Sequence, residues 1–101
     1  MENSITYSSL LSSKAQKEII VSWKWYEERS KGLGDRFVKE VTKTILKIEH
    51  HPDRYPIKYK NYRQTSIDTF PFLIIFKTNE RNKLVRIVSV FHTSRHPDKK
   101  Y

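Results

Sequence analysis

The 101-residue chain has no cysteine. Disulfides, thiol nucleophiles and Cys-based zinc or iron–sulfur sites are therefore excluded. The usual staple of small secreted domains is missing as well. Two glycines and four prolines are too few for a collagen-like or Gly-rich linker chain. No apolar run approaches the roughly eighteen residues that a membrane span needs. The start, Met1-Glu2-Asn3-Ser4, is acidic and then polar, unlike a secretory signal. The expectation is a cytoplasmic protein without a membrane association. There is no internal repeat, and the serine cluster at Ser8-Ser9 and Ser12-Ser13 is too short to separate domains.

Aromatic residues, by contrast, are plentiful: two Trp, six Tyr and five Phe, or 13% of the chain. That payload argues against disorder and for one small core. The formal net charge is +9, from 20 Lys+Arg against 11 Asp+Glu. Residues 1–50 hold nine bases and seven acids, whereas residues 51–101 hold eleven bases and four acids. A basic half of this kind suits nucleic acid, an anionic membrane or an acidic protein segment. The blander reading is solubility alone.

Hydrophobic spacing gives the elements. Ile5–Tyr7 reads as a short first strand. Ser13 and Gln16 have capping-box spacing, so a helix is expected from about Lys14 to Ser30. Ala15, Ile19, Trp23 and Tyr26 form its apolar stripe, widened by Ile20 and Val21. Trp23, Trp25 and Tyr26 are assigned to the core rather than to a cofactor box. Gly32 is the expected stop. Gly34-Asp35 opens a second helix with Phe37, Val41, Ile45 and Ile48 on its buried face, ending near His51 before Pro52. Strands are expected at Arg63–Ile67, Phe72–Thr78 and Leu84–Phe91, with a turn over Asn79–Lys83. The prediction is a single α+β domain over residues 1–101, ordered β-α-α-β-β-β. An antiparallel helical hairpin would pack on a mainly antiparallel sheet.

Two segments are candidates for chemistry. In Arg54–Arg63, the bases Arg54, Lys58, Lys60 and Arg63 interleave with Tyr55, Tyr59 and Tyr62. Bases hold phosphates and tyrosine rings stack on unpaired bases. A solvated loop covering a sheet edge explains the same residues equally well. The tail carries His92, Arg95, His96, Lys99, Lys100 and Tyr101. A histidine can move protons near neutral pH, and an arginine can stabilise a pentavalent phosphorane, which would suit metal-independent RNA cleavage. A frayed basic terminus is the ordinary alternative. His50-His51 and His92/His96 lack carboxylate partners, so no metal site and no cofactor are expected.

Six segments, taken in order, carry a family resemblance. They are Trp25-Tyr26-Glu27-Glu28, Gly32-Leu33-Gly34-Asp35-Arg36-Phe37, Pro52-Asp53-Arg54-Tyr55-Pro56, Tyr62-Arg63, Phe70–Phe76 and Val90–Pro97. From Ala15 to Pro97 the chain resembles the RelE/ParE superfamily of toxins from bacterial type II toxin–antitoxin systems. The resemblance implies an acidic, partly disordered antitoxin partner and either a homodimer or a toxin–antitoxin hetero-oligomer. ParE-like members inhibit DNA gyrase and are not enzymes; RelE-like members cut mRNA on the ribosome. The WYEE, LG-x-RF and FPF elements resemble the ParE branch, with the helical hairpin and tail as contact surfaces. Phe72 stands roughly where the ribosome-dependent nucleases carry a second strand arginine, and losing such a donor costs about 10²–10³ in rate. The RelE-like alternative would use Arg63, Arg95, Tyr101 and His92 as catalytic residues. Arg54, Lys58, Lys60, Arg63, Lys99 and Lys100 are the expected nucleic-acid-binding residues. A third alternative is an inactive relative kept as a binding module.

Overall fold

The structure is a computed structural model and describes residues 6–94. Strand β1 (Ser8–Leu11) leads into helix α1 (Ser13–Arg29) and helix α2 (Leu33–His50). One 3₁₀ turn (Pro52–Arg54) precedes β2 (Ile57–Tyr59), β3 (Tyr62–Ser66), β4 (Phe72–Asn79) and β5 (Leu84–His92). The five strands form one sheet in the order β1-β5-β4-β3-β2. β1 runs parallel to β5 and every other pair is antiparallel. This is the expected α+β architecture with one strand more than the sequence suggested.

The core lies between the helices and one face of the sheet. Phe37, Val41 and Ile48 of α2 meet Phe72, Ile74 and Phe76 of β4 and Val85, Ile87 and Val90 of β5. Tyr26, Phe37, Phe70 and Phe72 form an aromatic knot with ring centroids 4.7–6.3 Å apart. Alternation along β4 sends Phe72, Ile74 and Phe76 into this layer, and Leu73, Ile75 and Lys77 to the other face.

Four local expectations are corrected. The first strand is Ser8–Leu11 rather than Ile5–Tyr7 (Ile5 lies outside the described residues). It is held by its register with Leu84–Ile87 and by a hydrogen bond from Ser9 Oγ to Glu49, not by apolar alternation. The helix cap is Ser12, one residue before the expected Ser13. Its Oγ accepts from Ala15 N at 3.0 Å and donates to Val88 O at 2.7 Å. Gln16 reaches Leu11 O instead of closing a capping box. The apolar stripe of α1 is narrower than expected: Ile20 is 63% exposed, Val21 57%, Trp25 46% and Trp23 37%. Of the three aromatic residues assigned to the core, only Tyr26 packs against it. Finally, β2 is an exposed edge strand paired to β3 through Ile57↔Arg63 and Tyr59↔Tyr62. Backbone pairing and the stacking of Tyr59 on Tyr62 hold it, so no hydrophobic pattern announces it.

The junction between the helices explains the Gly32–Asp35 motif. Ser30 caps α1, and Gly32 takes a left-handed conformation, φ 88°, immediately before α2. Glu27 on α1 accepts hydrogen bonds from Gly32 N (2.8 Å) and Gly34 N (2.9 Å), satisfying two orphan donors at the start of α2. Trp23 Nε1 donates to Asp35 Oδ1 at 2.9 Å. A Cβ on Gly34 would sit 2.6 Å from Trp23 O, so the helices touch backbone to backbone here. Among the described residues, no helix is long and apolar enough to cross a membrane.

Candidate interaction surfaces

The Arg54–Arg63 segment folds as the β2–β3 hairpin and its approach. Tyr59 and Tyr62 face each other across the hairpin and stack, with centroids 6.3 Å apart and planes at 11°. Lys60 has φ 50° in the turn, and its Nζ lies 5.4 Å from the Tyr59 ring centroid. Lys77 on β4 lies 4.8 Å from that of Tyr62. Arg54, Lys58 and Lys60 are exposed to solvent. Arg63 is different. It stands opposite Phe76 on β3, half-buried, and its Nη1 donates to the backbone carbonyl of Tyr55. The Tyr55 ring packs edge-on against Phe76. Arg63 thus ties the loop before β2 to the sheet.

His92 ends β5 opposite Phe72, with the two rings edge to face at 5.0 Å. Its Nδ1 accepts from Ser94 N at 3.1 Å. With Ser22, Trp25, Tyr26, Pro71 and Phe72 it lines a cavity of about 390 Å³. Ser22 Oγ is buried there without a hydrogen-bond partner among the described residues.

Arg63 and His92 are not brought together. Their β4 partners, Phe76 and Phe72, are four residues apart, which is about 13 Å along a strand. β3 and β5 also lie on opposite sides of β4. Phe72, at the position compared with the nucleases' second arginine, is only 1% exposed and packed in the aromatic knot. Arg95, Lys99, Lys100 and Tyr101 lie outside the described residues. Among the described residues, no three His, Asp or Glu side chains gather as a metal site requires.

Sequence reasoning missed two surface features. Ile20, Val21 and Trp25 expose apolar area on α1, with the Arg29 guanidinium 3.4 Å from the Trp25 ring centroid. Lys77 and Arg86 oppose each other directly across β4 and β5. Neither could be found without the helix orientation and the strand register.

The pattern defining the family described as "ParE toxin of type II toxin-antitoxin system, parDE" matches residues 10–97. The chain belongs to the ParE toxin family. Solved structures agree at the level of the fold. The chromosomal ParDE toxin–antitoxin system of P. aeruginosa gives a TM-score of 0.77 at 14% identity, covering 90% of this ParE-family chain and 100% of the other. The toxin–antitoxin complex RelBE2 of Mycobacterium tuberculosis gives 0.67 at 12% identity, covering 94% and 100%. The isolated E. coli RelE toxin gives 0.65 at 14% identity, covering 92% and 90%. No curated protein matches the chain.

Proposed function

We propose that this ParE-family toxin acts as a single domain that arrests growth by binding DNA gyrase, and that a cognate antitoxin neutralises it. Family membership supports the toxin role. The antitoxin partner is supported by the ParDE and RelBE2 structures, both of toxin–antitoxin systems. The gyrase reading rests chiefly on Phe72. The resemblance puts Phe72 roughly where a nuclease would carry a phosphate-stabilising cation, and this phenylalanine is buried. Arg63, meanwhile, spends its guanidinium on a backbone carbonyl and stands far from His92. In this reading the helical hairpin makes the gyrase contact through Ile20, Val21 and Trp25, because exposed aromatic and aliphatic clusters anchor protein interfaces.

Transcript ends mapped after induced expression test the reading. Intact messages with DNA damage are the expected outcome. Messages cut at ribosomal A sites would replace this reading with the ribonuclease. Growth untouched by induction would point to an inactive relative.

A further inference from the structure

One end of the sheet gathers cations that the hairpin surface does not use. The β2–β3 and β4–β5 turns lie side by side there, and residues 57–63 and 77–86 contain a single acid, Glu80. Lys77 and Arg86 are directly opposed in the β4–β5 register, an arrangement of like charges that weakens a sheet. Neither has an ion-pair partner among the described residues. Lys77 instead lies over Tyr62, which stacks on Tyr59, beside Lys60. Between the turns runs an open groove of about 720 Å³, lined by Lys77, Arg86, Glu80 and the amides of Asn61, Asn79 and Asn82. Asn79 Oδ1 is held by Asn82 N, which leaves the Asn79 amide nitrogen directed elsewhere.

We propose that this groove, centred on Lys77 and Arg86 with Tyr62 and the exposed Tyr59 beside it, binds single-stranded nucleic acid without cleaving it. An uncompensated cation pair is relieved by a bound anion, and repeated phosphates supply one at each step. Tyr59, 46% exposed beside this cationic track, offers ring surface to bases in a sequence-tolerant way. The Asn61 and Asn82 side chains, each with donor and acceptor, and the Asn79 amide N–H suit base edges. A run of carboxylates would use the cations but neither the rings nor the amide acceptors. The groove also has no apolar socket for the anchor side chain of a peptide, Leu84 being its one aliphatic lining residue. The site is separate from the gyrase reading and stands or falls on its own.

Fluorescence anisotropy of the full chain with labelled dT and U twelve-mers, and with a poly-glutamate chain of similar length, tests the proposal. Binding to the DNA, the RNA or both is expected, with poly-glutamate clearly weaker. Three cations on phosphates, Lys77, Arg86 and the neighbouring Lys60, predict a slope of log affinity against log salt near about −2, reduced by about 0.7 in Arg86→Gln or Lys77→Gln. Tyr59→Leu should lose about tenfold in affinity through lost stacking. Arg86→Gln should also melt at an unchanged or higher temperature, because it removes like-charge repulsion; a purely structural residue would behave oppositely. The proposal is overturned by no binding to either oligonucleotide, by equal binding of poly-glutamate, or by unchanged affinity in both charge-removing variants.

Discussion

Glu27 and Gly34 do at the scale of one residue what the sequence motif only hinted at. The Glu27 carboxylate joins the end of α1 to the start of α2, and Gly34 lets the two backbones touch. Helix propensity and packing disagree about Gly34→Ala. Propensity favours alanine by up to about 1 kcal/mol. A Cβ 2.6 Å from the Trp23 carbonyl, however, forces the helices apart, and such overpacking costs about 1–3 kcal/mol. Packing should win, so the urea midpoint is expected to fall while the dependence on urea stays the same. A raised midpoint would show that the junction can relax. Trp23 belongs to the same junction, at its rim rather than in the core. Its indole is legible as helical and apolar in sequence, but nothing there reveals that Asp35 waits for its N–H at the surface.

At the scale of elements, α2 was readable because its apolar spacing and its burial coincide: Phe37, Val41 and Ile48 are buried and Ile45 half-buried. The β4–β5 hairpin was readable for a similar reason, through a continuous apolar run and a polar turn. α1 was misread on its outer face because it keeps Ile20, Val21 and Trp25 in solvent. β1 and β2 were misread because partners hold them. Ser12 shows how a distant partner defines an element. Its hydroxyl caps α1 and also satisfies Val88 O on the edge that β5 exposes once β1 has ended. Ser12→Ala should therefore cost more than a plain cap, about 2 kcal/mol, since an orphaned carbonyl adds to the lost cap. Hydrogen exchange should report the loss at both the first turn of α1 and the Val88–Val90 edge. Loss confined to α1 would contradict the dual role.

For the whole molecule, the division of labour matters more than the excess charge. Apolar side chains stand out on α1, while cations crowd one end of the sheet. Residue type and resemblance single out the candidate nuclease residues in the sequence. Register and packing then separated them: Arg63 anchors a loop, His92 packs on Phe72, and the tail candidates lie outside the described residues. Strand register is a long-range property, so no local pattern could have shown that separation. The direct test of the account is the supercoiling activity of purified gyrase with the purified 101-residue protein added in increasing amounts. Supercoiling should be lost as the toxin approaches and exceeds the enzyme, and Arg63→Ala, where it remains folded, should still inhibit. Undiminished supercoiling at a large excess of folded toxin would contradict it.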